Sequence, residues 1–232
     1  MRLLLIRHGQ TPTNLSGALD TAAPGPGLTD LGHAQADAVP AALAGVPLDG
    51  IYVSGLVRTH LTAAPLVSAT GLSPQVHEGL NEISAGTLEG RADAAAVDDY
   101  RRCGSHWAHG DLDAALPGAE TGHEFVQRFE SAIRHIAASH GGDATVAVFG
   151  HGAAIRVFAT IAAGLDPETP AERGLLNTGL VELSGDPAGG WQMLRWTDDP
   201  IGGEHLAGST EHDVTADPDA VPTGGGEGAR HG

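Results

Sequence analysis

An arginine and a histidine stand directly at the end of the first apolar run of this chain. Residues 3–6 are Leu-Leu-Leu-Ile, and Arg7, His8 and Gly9 follow at once. Such a run predicts a buried strand, and α/β sheets bind their ligands beyond the carboxyl ends of strands. A guanidinium can bind an oxyanion through two hydrogen bonds, while a neutral imidazole beside it can attack phosphorus. The pair indicates phosphoryl chemistry, and the competing interpretation is the polar end of an ordinary strand.

The same arrangement recurs later in the chain. The apolar run 145–149 leads into His151 and Gly152, where a helix is predicted to begin. His151 and the amides of that helix N-terminus are expected to hold a phosphoryl oxygen. Arg58 falls in the first turns of a helix after another strand, and Glu82 follows a short edge strand in a glycine-containing loop. These segments predict one crevice that contains two histidines, two arginines and a carboxylate.

The elements that must position these residues alternate between strands and helices. Strands are predicted at 2–7, 51–54, 75–77, 145–149, 179–183 and 192–196, with helices at 29–43, 56–69, 92–102, 120–139 and 152–163. Residues 12–28 are predicted to be a loop, and a turn at 185–187 joins the last two strands. This order predicts an α/β fold, a single three-layer α/β/α domain whose mostly parallel sheet carries helices on both faces.

Composition divides the chain into a main domain at 1–197, which includes a mixed polar insert at about 91–120, and a C-terminal tail at 198–232. The tail contains eight acidic residues, one arginine and a run of three glycines. We expect it to be poorly ordered past about Asp213 and to dock on the domain, if at all, around Ile201 and Leu206.

The formal net charge of −17 argues against nucleic acid or an anionic membrane as the main partner. All 12 basic side chains are arginine, which excludes a Schiff-base or P-loop lysine. The single cysteine, Cys103, cannot form an intrachain disulfide and suits a cytoplasmic protein. No membrane span, metal-ligand spacing or cofactor motif is evident. A small-molecule partner is expected, and a homo-oligomer is left open.

The chain resembles the histidine phosphatase superfamily, which includes the cofactor-dependent phosphoglycerate mutases. The resemblance covers roughly residues 2–197 and is carried by motifs in the family's order: Arg7-His8-Gly9-Gln10-Thr11 with Asn14, Leu28-Thr29-Asp30-Leu31-Gly32 with Gln35-Ala36, Ser54 with Arg58 and Thr62-Ala63, Glu82 with Gly86 and Glu89-Gly90, and His151-Gly152 with Arg156.

This resemblance implies a phosphoglycerate mutase-like fold and a role for each candidate residue. His8 is the nucleophile that becomes phosphohistidine, and Glu82 is the general acid and then the base that activates water. The phosphoryl oxygens are bound by Arg7, Arg58 and His151, with Asn14 and Gly152 as further phosphate contacts. His151 should work best in its protonated form, and Glu82 needs a raised pKa to donate a proton. No metal or cofactor is implied.

Three functions compete, and the favoured one is a phosphomonoesterase acting on a small ester. Family mutases have Arg, Tyr and Gly after the acid and carry a cap that contains lysines. Here residues 83–85 are Ile-Ser-Ala, and the insert at about 91–120, which corresponds to that cap, contains no lysine. Mutase-type phosphoryl transfer is therefore the alternative. The third is a catalytically idle relative that binds a phosphorylated ligand. An extra loop at 22–27 is expected to border the pocket.

Overall fold

The computed structural model describes residues 1–208 and residue 214 of the 232-residue chain. The predicted tail therefore lies largely outside the described residues. Its first part docks where the sequence indicated: Ile201 packs against a core cluster and Leu206 is buried. None of the described helices combines the length and the apolar character that crossing a bilayer requires.

Six strands form one sheet in the order β3-β2-β4-β1-β5-β6. Their bounds are β1 Arg2–Arg7, β2 Gly50–Val53, β3 Pro74–Val76, β4 Thr145–Gly150, β5 Leu180–Asp186 and β6 Gly190–Thr197. Strands β1 to β4 run parallel to one another, while β5 pairs antiparallel with both β1 and β6. The prediction of a mostly parallel sheet is confirmed.

Helices pack on both faces of this sheet. Among the described residues they are α1 Pro12–Ser16, α2 Asp30–Ala42, α3 Val57–Thr70, α4 Ala94–Ala108, α5 Gly122–Ser139, α6 Gly152–Ala163 and α7 Thr169–Glu172. Strand side chains alternate between the faces. Thus Leu3 and Leu5 join the cluster under α4, α5 and α6, while Leu4 and Ile6 join the cluster under α2 and α3. This division confirms the three-layer architecture.

Two local predictions were wrong. The loop predicted at 12–28 begins with the short helix α1, because Thr11 and Asn14 form a capping box, Pro12 suits the first turn and Gly17 takes the left-handed conformation at the end. The hairpin turn lies at 187–189 rather than 185–187, because β5 continues through Asp186. Neither difference changes the sheet order.

The sheet order brings the candidate residues together. Strand β4 lies between β1 and β2, so Arg7 pairs with Gly150 and Val53 pairs with Phe149 at the carboxyl ends of the strands. The loops that leave these three strands therefore share one edge of the sheet.

Candidate active site

A small polar pocket lies at this edge of the sheet. Five of the seven predicted site residues line it, and the two exceptions are His151 and Gly152. The full lining is Arg7, His8, Thr11, Thr13, Asn14, Ala18, Leu19, Asp20, Thr21, Arg58, Glu82, Tyr100 and Val214. Its volume of about 40 Å³ accommodates roughly three water-sized groups, which is the scale of one phosphoryl group.

Two buried guanidinium groups give the pocket its positive charge. Arg7 is 1% exposed and its Nη1 donates to the Leu175 carbonyl at 2.7 Å. Arg58 is also buried, and its Nη2 donates to the Asp20 carbonyl at 2.8 Å. Its Nη1 lies 3.5 Å from an Asp20 carboxylate oxygen. Burial lowers the pKa of Arg58, and the Asp20 charge opposes that shift. Both groups are held as cations inside an acidic protein.

The backbone fixes the tautomer of His8. Its Nδ1 lies 2.8 Å from the Gly9 carbonyl oxygen. Because a carbonyl only accepts hydrogen bonds, Nδ1 carries the proton and Nε2 keeps its lone pair. Burial, Arg58 and Arg7 hold the pKa of His8 well below its usual range, and the Gly9 bond only partly offsets them. The lowered pKa therefore favours the neutral imidazole at neutral pH, with Nε2 unprotonated.

We expect the His8 ring to remain neutral at pH 6.0. A lowered pKa means that the uncharged form persists below about pH 6.5, where an ordinary histidine gains its proton. Nitrogen-15 NMR of the imidazole rings measures this directly, because neutral and protonated nitrogens differ in chemical shift. A His8 ring that is already protonated at pH 6.0 would contradict the expectation.

The loop that carries His8 is fixed by α3. The amide of Gly9 donates to the Thr62 hydroxyl at 2.8 Å, and that hydroxyl donates to the Arg58 carbonyl at 2.7 Å. Gly9 also permits a close approach, because a Cβ there would lie 2.6 Å from the Gly32 carbonyl oxygen. The loop after His8 and the Arg58 backbone are thus coupled through a single hydroxyl.

A segment before β5 braces the same corner, and sequence reasoning missed it. The Asn177 side-chain amide donates to the His8 carbonyl at 3.0 Å and to the Asn14 side-chain oxygen at 3.2 Å. The Thr178 amide donates to the Arg7 carbonyl at 3.1 Å, with Thr178 itself at φ 59°. No local pattern signals these contacts, because Asn177 lies 169 residues from His8.

His151 lies behind His8 rather than in the pocket lining. The two ring centroids are 5.3 Å apart. His151 Nε2 is 2.8 Å from the Ser54 hydroxyl oxygen, while its buried Nδ1 has no hydrogen-bond partner among the described residues. Burial, followed by the Arg58 charge, holds the pKa of His151 well below its usual range. The expected protonated form is therefore disfavoured by this environment, and an approaching dianion would have to offset it.

Glu82 is bound to the N-terminus of α6. One carboxylate oxygen accepts the amides of Ile83 at 2.9 Å and Ala154 at 2.8 Å, and the other accepts the amide of Ala153 at 3.2 Å. A helix N-terminus favours a negative group at this place. Gly152 is the first residue of that helix and is buried, but its successors make the contacts with Glu82. The sequence placed Glu82 in a loop and did not indicate this partner.

The extra loop at 22–27 borders the site, as expected. Glu89 holds its start, since one of its carboxylate oxygens accepts the Thr21 amide at 2.9 Å and the other accepts the Thr21 hydroxyl at 2.6 Å. Further on, Gly25 lies against the Arg58 guanidinium, where an added Cβ would be 2.6 Å from Nη1. The loop thereby packs directly against the Arg58 guanidinium, which lines the pocket.

The cap supplies the outer wall. Tyr100 on α4 lines the pocket and its hydroxyl donates to the Ile83 carbonyl at 3.0 Å. The neighbouring Arg101 Nε donates to the Val214 carbonyl at 2.9 Å, and Val214 lines the same pocket. Within residues 1–208 and 214, no group of three His, Cys, Asp or Glu side chains is arranged to hold a metal ion.

Comparisons with known proteins bear on the family and the fold of this chain. The profile of the histidine phosphatase superfamily, branch 1, matches residues 3–199. A PE-PGRS family protein of Mycobacterium tuberculosis is 36% identical over 85% of this chain, and the chain spans only 36% of that relative's length. The 2,3-bisphosphoglycerate-dependent phosphoglycerate mutase of Brucella melitensis is 32% identical, with 77% of this chain and 88% of the mutase covered.

Solved structures have the same architecture. The structure of a mycobacterial glucosyl-3-phosphoglycerate phosphatase superimposes with a TM-score of 0.72 at 27% identity. The match covers 84% of this chain and 98% of that phosphatase. A nearly complete domain of this kind is therefore present in the chain.

Proposed function

Because this chain belongs to the histidine phosphatase superfamily, we propose that it hydrolyses a small phosphomonoester through a phosphohistidine at His8. The observation that carries the proposal is the His8 ring itself. It is neutral, its tautomer is fixed by the Gly9 carbonyl at 2.8 Å, and it shares a pocket with two buried arginines. A phosphoryl group in transfer spreads its charge over its oxygens, so positioned cations and a neutral nucleophile meet its main needs.

In the first step the Nε2 lone pair of His8 forms a bond to phosphorus while the bond from phosphorus to the ester oxygen breaks. Arg7 and Arg58 hold the phosphoryl oxygens, with His151, Asn14 and Gly152 as the remaining phosphate contacts. Asn14 offers its amide nitrogen, because its side-chain oxygen already accepts the Thr11 amide at 3.0 Å. His151 offers its Nδ1, the buried nitrogen left without a partner among the described residues.

Glu82 moves the proton in both steps. In the first step its carboxyl group gives a proton to the leaving ester oxygen, so the product leaves as a neutral alcohol. In the second step the carboxylate takes a proton from water as that water attacks phosphorus and the bond to Nε2 breaks. The oxygen that accepts only the Ala153 amide, at 3.2 Å, is the better candidate to carry the proton, since the other already accepts two amides.

Mutase-type transfer is the second candidate, favoured by the 32% identity to a phosphoglycerate mutase. A mutase must retain a second anionic group and exclude water between half-reactions. The Ile-Ser-Ala sequence after Glu82 and the absence of lysine from the chain speak for hydrolysis instead. An idle phospho-ligand-binding relative is less well supported, because all five catalytic side chains are present.

Incubation with 3-phosphoglycerate and its bisphosphate primer separates these activities. We expect inorganic phosphate to be the phosphorus-containing product that accumulates, with 2-phosphoglycerate below about a tenth of it, since water has access to the open pocket. Phosphorus-31 NMR distinguishes the products in one sample. Stoichiometric isomerisation would establish the mutase, and the absence of any turnover with phosphoesters would favour the idle relative.

We place this activity in the cytoplasm, as a metal-independent reaction on a small-molecule substrate. The support is chemical: the single cysteine of the chain, Cys103, is buried and free.

A further inference from the structure

A second cavity adjoins the phosphate pocket. It has a volume of about 560 Å³, and Thr21 and Glu82 line both spaces. If Glu82 protonates the leaving oxygen, the carbon skeleton of the leaving alcohol starts beside Glu82 and extends into this cavity. The assignment of this cavity to the leaving alcohol therefore rests on the proposed function of Glu82.

The cation in the wall of this cavity has no hydrogen-bond donor left for a ligand. A guanidinium has five N–H groups. In Arg128, Nε and one Nη2 hydrogen bind the two carboxylate oxygens of Glu120, each at 2.7 Å. The other Nη2 hydrogen binds the Glu82 carbonyl at 3.0 Å, and the two Nη1 hydrogens bind the Gly79 carbonyl at 2.9 Å and the Asn81 carbonyl at 2.8 Å. Arg128 thus secures the backbone around Glu82.

The remaining lining is acidic or neutral. Glu78 is exposed at the rim, and its charge has no counterpart among the described lining residues, because Arg128 already neutralises Glu120. Asn81 and Ser84 contribute an amide and a hydroxyl. Carboxylate, amide and hydroxyl oxygens accept hydrogen bonds from hydroxyl groups. A second anionic group on the substrate would instead face the negative charge of Glu78, with no N–H group of Arg128 left to bind it.

We propose that this cavity selects the alcohol part of the substrate. The substrate is a sugar or polyol monophosphate whose alcohol is uncharged and bears hydroxyl groups, and the charge of Glu78 disfavours esters that carry a second anionic group. Glu78 is the specificity-determining residue in this scheme, and Arg128 is a positioning residue that holds Glu120 and the Glu82 backbone.

Two esters of the same length test this proposal. Glycerol 3-phosphate and 3-phosphoglycerate differ only in whether the far carbon is a hydroxymethyl group or a carboxylate. We expect kcat/KM to be about tenfold higher for glycerol 3-phosphate than for 3-phosphoglycerate, a difference of about 1.4 kcal/mol. The ratio should shrink in 0.5 M salt, because screening weakens repulsion between charges at an open rim.

The variant Glu78→Gln keeps the shape of the side chain and removes its charge. We expect it to lower the ratio of the two kcat/KM values by about threefold, the scale of an exposed charge interaction. Glu130→Gln is the matched control, because Glu130 is ion-paired with Arg134 on the surface and does not line the cavity. This control removes the same charge and should leave the ratio at the wild-type value.

The proposal would be overturned by equal or faster turnover of 3-phosphoglycerate, or by a ratio of the two kcat/KM values that is unchanged in Glu78→Gln. Hydrolysis of p-nitrophenyl phosphate, measured in parallel, reports on the phosphatase activity alone. Should that activity be missing, calorimetric titration of the protein with the same two esters still decides the selectivity, and equal affinities would count against it.

Discussion

The His8→Ala variant is expected to lose at least about four orders of magnitude in kcat, because the nucleophile of a covalent mechanism has no local substitute. Asn177 contacts the backbone carbonyl of His8, not its ring, so the bracing of the loop survives the substitution. Stopped assays with p-nitrophenyl phosphate measure the loss. The thermal unfolding midpoint shows whether the variant has folded.

A covalent label gives a second readout for the same variant. Wild-type protein mixed with a phosphorus-32 ester and quenched in alkaline detergent should retain label that acid releases, as expected for a phosphohistidine. His8→Ala should retain none. His33→Ala is the matched control, since His33 is exposed on α2, away from the pocket lining, and should keep both the label and the activity. Turnover in His8→Ala, or label on another residue, would refute the nucleophile assignment.

The second large effect is expected from Glu82→Gln. A glutamine cannot give a proton to the leaving oxygen, so kcat/KM for alkyl phosphates should fall by about 10²- to 10³-fold. The loss for p-nitrophenyl phosphate should stay under about tenfold, because nitrophenolate leaves without a proton. Measuring both esters on one preparation separates the acid role from damage to the fold, which would affect both alike.

The structure also predicts what the substitution does to the local contacts. The glutamine oxygen can keep the bonds from the Ile83 and Ala154 amides, while the new amide group faces the Ala153 amide and loses one bond at the helix N-terminus. The variant should therefore unfold at a slightly lower temperature. Equal losses for good and poor leaving groups would show that Glu82 is not the acid, and the surface variant Glu130→Gln controls for the change in charge.

The local sequence was sufficient to place Arg7 and His8 at the end of a buried strand. Each of the apolar runs 3–6 and 145–149 is followed, after one intervening residue, by a histidine and a glycine. In the structure β1 and β4 lie side by side, with Arg7 paired to Gly150. Strand periodicity and turn residues are local properties, so they can be read from a single chain. The alternating core of β1 follows from the same periodicity.

The sequence predicted a helix from Thr29, and the segment with Thr29, Gly32 and Gln35 also carries the resemblance to the family, but neither indicated what this segment contacts. In the fold, Gln35 accepts the Gln10 amide at 2.8 Å and the Thr29 hydroxyl donates to the Gln10 side chain at 2.9 Å, which fixes the loop after His8. Gly32 lies against the Gln10 backbone, where a side chain would not fit.

What the sequence determined by itself is therefore the set of candidate side chains and the strand ends that carry them. Only the tertiary structure decided their surroundings: burial lowers the pKa of His151, which is bonded to Ser54, 97 residues away, Glu82 is held by the amides of α6, and Asn177 braces His8. The physical reason is that charge state and hydrogen-bond partners depend on burial and on neighbours distant in the chain, which no local spacing encodes.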